Sequence, residues 1–148
     1  MAIENSEKKI QLRVITPTET KVDQKVDMVV MRCNTGDMGV LPGHESYMCV
    51  LADGILRLLN RRSERRLAVF GGIAEIQDDV LTILTEEAHW PEDIDLDRAR
   101  EAKEHLERKI QEKVDDLELL NDQVQLRRTF LKLDVHSFPV PGEFDEEV

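Results

Sequence analysis

The spacing of apolar residues changes once along the chain, near Pro91, and that change limits the fold more than any other feature. Before it, apolar side chains recur every second residue. Ile10, Leu12 and Val14 alternate with Lys9, Gln11 and Arg13, the period of a half-buried strand. Val22, Val26, Met28 and Val30 continue on one face, with Asp23, Lys25 and Asp27 opposite. Further short apolar runs follow at Tyr47 to Leu51, Ile55 to Leu59, Leu67 to Phe70, Ile73 to Ile76 and Val80 to Leu84. Turn signals separate them: Pro42-Gly43, Asp53-Gly54 as a hairpin, Asn60 to Glu64, Gly71-Gly72 as a break or bulge, and Asp78-Asp79. Many short strands without helical crossovers predict an antiparallel sandwich or barrel and argue against a parallel sheet.

After Pro91 the step becomes three or four. Leu96, Ala99, Ala102, Leu106, Ile110, Val114 and Leu117 form one face of an amphipathic helix, with Asp93 or Asp95 as its cap. Leu120, Val124 and Leu131 extend the series. Asp115-Asp116 is a place to end one helix and cap the next, but no Gly or Pro marks a break. One long helix and a two-helix hairpin both fit the pattern. Either needs a cover for its apolar stripe.

Charge separates function classes. The 148 residues carry 20 Lys+Arg against 31 Asp+Glu, a formal net charge of -11. An acidic surface repels phosphate, which argues against nucleic acid and against electrostatic docking on acidic lipid. No apolar run is long enough for a membrane helix, so direct membrane insertion is not expected. Met1 to Lys9 has neither signal-peptide nor transit-peptide character, and the default expectation is a soluble cytoplasmic chain. The surplus acid lies in the connector from Glu86 to Asp93 and in the final residues, where Asp134, Glu143, Asp145, Glu146 and Glu147 meet no base. Those residues, with Pro139, Pro141 and Gly142, read as an irregular tail. Cys33 and Cys49 form no zinc spacing, and Cys49 reads as a small core residue. No metal site is expected. The four histidines belong to no nucleophile elbow, HExxH or phosphate loop, so no enzyme is expected. Arg57, Arg61, Arg62, Arg65 and Arg66 cluster on one hairpin but lack interleaved aromatics, and read as a solvated tip.

The densest local signal is Gly36-Asp37-Met38-Gly39-Val40-Leu41-Pro42-Gly43-His44. Taken alone it is a shaped turn connection. Together with Asp53-Gly54, Phe70-Gly71-Gly72 and Ile94-Asp95-Leu96-Asp97-Arg98-Ala99, in that order and spacing, it closely resembles the ε subunit of bacterial and chloroplast F-type ATP synthases. The resemblance runs from about residue 9 to 134. It implies an α+β fold: an antiparallel β-sandwich rotor-binding domain over 1–90 and a two-helix regulatory hairpin over 91–134, bent near Asp115-Asp116. An acidic, flexible tail would occupy 135–148. It also implies a subunit without catalytic residues, held at the cytoplasmic face of the cell membrane by its complex. The partners implied are the γ subunit, the c-subunit ring and the α/β catalytic head. The rotor would couple ion flow to ATP synthesis, and the helices would restrain ATP hydrolysis.

On this resemblance Asp37 and His44 face the c ring; the plainer alternative is a turn carboxylate and an exposed histidine. Ile94, Asp95, Arg98 and Ala99 match the Ile/Leu-Asp-x-x-Arg-Ala motif of ATP-binding members. Free amides at a helix start and an arginine fork suit phosphate. Arg128 and Lys132, four apart, would close such a regulatory ATP site in a folded hairpin. No cofactor is required otherwise. His89 and Lys132 depart from the glutamate and arginine of ATP-binding members, and lysine lacks the planar fork. The alternative is an N-cap, an Asp–Arg pair and a solvated basic face. Lys103, Arg108, Lys109, Lys113, Arg127, Arg128 and Lys132 are the basic residues implied to meet the catalytic β subunit. Outside this family, the same pattern suits a chaperone-like adaptor with a β body and coiled-coil arms, or a stand-alone nucleotide sensor.

Overall fold

The computed structural model describes residues 8–61, 63–112 and 116–137. It divides after Ala88 into a β unit and a helical unit that begins at His89. The strands are β1 (Ile10–Ile15), β2 (Thr20–Val26), β3 (Met28–Cys33), β4 (Gly36–Val40) and β5 (Tyr47–Leu51). They continue as β6 (Gly54–Asn60), β7 (Ser63–Val69), β8 (Gly72–Gln77), β9 (Val80–Leu84) and β10 (Ala88–His89). Their order is β10-β7-β6-β3-β5-β8-β9-β1-β2, with β4 on the other edge of β3. This is the expected sandwich, nearly closed into a barrel.

Alternation builds the core. Leu12, Val14, Val29, Val40, Leu58, Leu81 and Ile83 are buried completely, while their strand neighbours are more exposed; on β7, Leu67, Ala68 and Val69 are buried in succession. One apolar side chain of this size contributes about 1.5–3 kcal/mol when fully buried. The core therefore rests on many similar contributions. Gln24, whose Nε2 is buried without a hydrogen-bond partner, is the polar exception on β2.

The pattern misleads at three places. Val22 to Val30 is not one strand face. The chain bends at Asp27, Val26 and Val29 are buried, and Met28 and Val30 are only half-buried. The bend shifts the alternation by one residue, which turns every later side chain over. Asp53-Gly54 is not a hairpin. β5 pairs with β8 and β6 pairs with β3 and β7, so this turn carries the chain from one sheet to the other. Gly54 is needed there for lack of space, because a Cβ would lie 2.5 Å from Cβ of Arg32. Finally, β1 and β9 pair in parallel, from Gln11 opposite Val80 to Ile15 opposite Leu84. The intervening strands themselves form the crossover, so no helix is required.

Turn chemistry accounts for the other junctions. Asp78 and Asp79 have φ of 50° and 61°, two left-handed residues in succession between Gln77 and its partner Val80. That conformation matches the twist of a tight hairpin. Gly71 and Gly72 have φ of 65° and 117° where β8 begins.

In the second unit the two-helix reading is the observed one. Trp90 is extended before Pro91, a single 3-10 turn spans Pro91–Asp93, and α1 (Leu96–Glu112) and α2 (Asp116–Ser137) pack on each other. Asp95, rather than Asp93, is the cap: its Oδ1 accepts from the amides of Asp97 at 3.1 Å and Arg98 at 3.2 Å. The expected apolar stripe does not continue through the bend, since Leu117 and Leu120 are exposed. A new helix starts with its own phase. α2 also runs three residues past the expected boundary at 134, with Val135 buried. The remainder of the expected tail, and the expected bend residue Asp115, lie outside the described residues.

Gly72→Ala is expected to cost about 3 kcal/mol of stability. Its φ is left-handed and a Cβ would meet the carbonyl oxygen of Leu84. Urea unfolding of the variant checks this; a loss below ~1 kcal/mol would contradict it.

Candidate functional site

The glycine-rich segment is mostly strand. Gly36 to Val40 form β4, whose Asp37 stands opposite Arg32 on β3, with Oδ1 2.9 Å from Arg32 Nε. Both side chains are more than half exposed, so this pair orients Asp37 more than it stabilises the fold. His44 follows in a turn closed by its own amide on Leu41 O at 3.2 Å, and its Nδ1 lies 2.7 Å from Glu45 O. The amide of Gly43 donates to Asp79 Oδ1 at 2.6 Å, which ties this turn to the β8–β9 hairpin. Asp37 and His44 are thus each fixed by different neighbours on a braced scaffold.

A surface absent from the sequence reading lies on β5, β8 and β9. Val50 stands opposite Ile73, Ile73 opposite Leu84, and Leu84 opposite the half-buried Ile15. Met48 is two residues before Val50 on the same face. Met48, Val50, Ile73 and Leu84 are 63%, 55%, 48% and 53% exposed. Single exposed apolar residues are common, but a contiguous row across neighbouring strands marks an interaction surface. The sequence does carry the signal. Met48-Cys49-Val50-Leu51 and Ile83-Leu84 are apolar at both parities, as strands covered on both faces are.

The hairpin places its candidate residues unevenly. Ile94 closes the 3-10 turn, with its amide on Pro91 O at 3.3 Å. Ala99 is buried. The Asp95 carboxylate already occupies the first helix amides that phosphate would need. Arg98 Nε lies 3.7 Å from Asp95 Oδ2, and its side chain is 87% exposed. Lys103 Nζ sits 5.1 Å from the ring centroid of Phe130, a contact between the two helices. From that pair, a rise of about 1.5 Å per residue puts Arg98 and Lys132 within ~5 Å of one level along the axes. The same register puts Arg128 about 10 Å from Arg98. Arg128 and Lys132 are half-buried and Arg127 is exposed. Arg108 Nε donates to Glu104 O at 3.3 Å, and Lys109 lies in the last turn of α1. Lys113 lies outside the described residues.

The arginine hairpin is more than a solvated tip. Arg57 holds Glu64 through two bonds, Nε to Oε1 at 2.7 Å and Nη2 to Oε2 at 3.1 Å, and Arg66 Nε reaches the same Oε1 at 2.7 Å. Arg62 lies outside the described residues. The Arg57 guanidinium, followed by Arg66, holds the Glu64 carboxyl below its usual range against the opposing effect of burial.

Residues 9–91 match the family model of the ATP synthase Delta/Epsilon chain, beta-sandwich domain. The chain belongs to the ATP synthase epsilon family. It is 44% identical to the ATP synthase epsilon chain of Alkalihalophilus pseudofirmus over 101 residues, which is 68% of this chain and 76% of that one. It is 36% identical to the ATP synthase epsilon chain of Halalkalibacterium halodurans over 127 residues, 85% of this chain and 96% of that one. Among solved structures it resembles a chain of the Euglena gracilis mitochondrial ATP synthase, OSCP/F1/c-ring, with TM-score 0.72, 30% identity and coverage of 85% and 79%. As an epsilon-type chain it is a non-catalytic subunit of an ATP synthase. Among the described residues no helix is long and apolar enough to cross a membrane.

Because the folded Glu64 value is lowered, its contribution is complete above the unfolded range near pH 4.5 and disappears as pH falls through the lower folded value. Glu64→Gln is expected to lower the unfolding free energy by up to about 1 kcal/mol at pH 7 and by progressively less below pH 4. Urea titrations across that range check it; a pH-independent difference would contradict the assignment.

Proposed function

We propose that the β unit is the rotor-binding body of a central stalk, and that the apolar row of Val50, Ile73 and Leu84 is where the γ subunit docks. That row is the observation that carries the reading. It is held by ladder hydrogen bonds and is apolar enough to bind by burial without an electrostatic partner. The braced segment carrying Asp37 and His44 takes the polar loops of the c ring. The protein thereby turns with the shaft, couples ion-driven rotation to ATP synthesis, and is kept at the cytoplasmic face of the cell membrane by protein contacts. The helical unit restrains ATP hydrolysis. Its exposed Leu117, Leu120 and Val124 fall at spacings of three and four on α2, a stripe suited to a second resting place against the α/β head. The basic residues Arg108, Lys109, Lys113 and Arg127 are the ones offered to an acidic surface there.

A second proposed role is regulatory ATP binding by the hairpin. The near-common level of Arg98 and Lys132 supports it, whereas the capped amides leave the phosphates to side chains alone.

Two arms of one reconstitution test the main reading. Ile73→Glu with Leu84→Glu changes exposed positions, so the chain should fold, but its association with the rest of the complex should weaken by roughly 100-fold or more. Removal of residues from about 95 onward should preserve assembly and raise ATP hydrolysis. Unimpaired assembly of the first, or unchanged hydrolysis in the second, would refute the corresponding half. For ATP, calorimetric titration of the full chain should show binding that Lys132→Ala weakens by about tenfold. No heat at millimolar ATP would end that proposal.

A further inference from the structure

Cys33 and Cys49 lie sixteen residues apart in sequence, yet their Sγ atoms are 3.4 Å apart. Both are free thiols. Cys33 is buried on β3, and Cys49, read from the sequence as a small core residue, is half-buried on β5. The two strands meet where Cys33 stands opposite Leu51, two residues beyond Cys49. The backbone is fixed around this junction by Asn34 N to Val50 O at 3.1 Å and Ala52 N to Arg32 O at 3.0 Å. The thiols are therefore held together by bonds they do not themselves make.

We propose that Cys33 and Cys49 form a reversible dithiol–disulfide site, oxidised by small-molecule disulfides such as oxidised glutathione. Cys49, the more accessible thiol, loses its proton and attacks one sulfur of the oxidant. The oxidant's S–S bond breaks, one thiolate leaves and takes up a proton, and a mixed disulfide remains on Cys49. Cys33 then gives up its proton, its sulfur attacks Sγ of Cys49, and the second small thiol departs protonated. Two protein thiols are oxidised and one disulfide is reduced to two thiols. Burial, together with the neighbouring Cys49, pushes the Cys33 thiol up to about 11, which keeps it from attacking first.

The site has a consequence for its surroundings. A bond between Cys33 and Cys49 would close the segment from Asn34 to Met48 into a ring, and that segment carries Asp37 and His44. Oxidation would fasten its base at the junction of β3 and β5. In a reducing compartment such a pair stays open and closes when the thiol pool becomes oxidised.

The full chain is reduced, equilibrated in glutathione buffers of graded oxidised fraction, quenched in acid, and read by maleimide tagging and intact mass. Both thiols should vanish together into an intramolecular disulfide, reversible by dithiothreitol. The folded chain should reach its midpoint at an oxidised-to-reduced ratio about tenfold lower than the same chain in concentrated urea, because folding supplies the proximity. Cys49→Ser should leave Cys33 reduced throughout. Cys33→Ala should leave Cys49 able to form only the mixed disulfide. Independent loss of the two thiols, a stable mixed disulfide in the unsubstituted chain, a covalent dimer, or equal midpoints with and without urea would each overturn the proposal.

Discussion

Strand β3 serves two neighbours along one edge, and the rest of the β unit follows from that division. Met28 to Val30 pair with β6, while Cys33 pairs with β5. A single ladder thus hands over from one sheet to the other within a few residues. The two layers close over Val29, Met31 and Val40, and the glycine-rich strand β4 is left on the opposite edge. Gly54 has to admit the side chain of Arg32 at this corner. Cys33 and Cys49 come together at the same place. The strands of the outward row, β5, β8 and β9, are joined to β3 through this handover.

The period change at Pro91 made the division into strands and helices legible, because a strand and a helix cannot share one apolar spacing. Turns were legible where the backbone needs left-handed φ, as at Asp78-Asp79 and Gly71-Gly72. Pairing was less so. Asp53-Gly54 has the chemistry of a hairpin, but β5 pairs with β8 instead of with its sequence neighbour. Such a choice depends on partners distant in sequence, which local propensity does not encode. The bend at Asp27 shows the same limit: one added residue reverses the face of every following side chain, and nothing in its composition announces it. The glycine segment pointed to the family, while the exposed apolar row was hidden by its similarity to an ordinary buried strand. Asp95 was legible as a cap, but not that its capping bonds occupy the amides that a phosphate would use.

Charge pairing explains why a chain with a large acid surplus can still present selective surfaces. Arg57 and Arg66 are spent on Glu64, Arg32 on Asp37, and Lys103 on the face of Phe130. A basic count by itself therefore overstates how many cations are available to a partner. The hairpin's usable positive charge is narrower than the sequence series of seven residues suggests. The apolar row, by contrast, has no such internal competitor. Its side chains are held at fixed spacing by the ladder and lose little freedom on contact, which lowers the entropic cost of binding.

The helical unit is built differently, and its construction bears on the regulatory role proposed for it. Two helices of this size cannot cover each other's apolar surface from all sides, and isolated helices are marginal in water. Leu117 and Leu120 remain largely exposed at the start of α2, while the buried positions further along it include Asp122 and Thr129. Polar groups at buried positions cost free energy to desolvate and add less to packing than apolar ones. On the regulatory role proposed above, such packing would leave only a small energy between one arrangement of the helices and another. An element that must leave one partner and take another needs such a small gap, since a ligand or partner shifts an equilibrium only by its difference in affinity for the two states. The sandwich, with a completely buried core, lacks that freedom. A sandwich with a closed core and a helix pair with exposed apolar positions are thus two consequences of one change in apolar spacing.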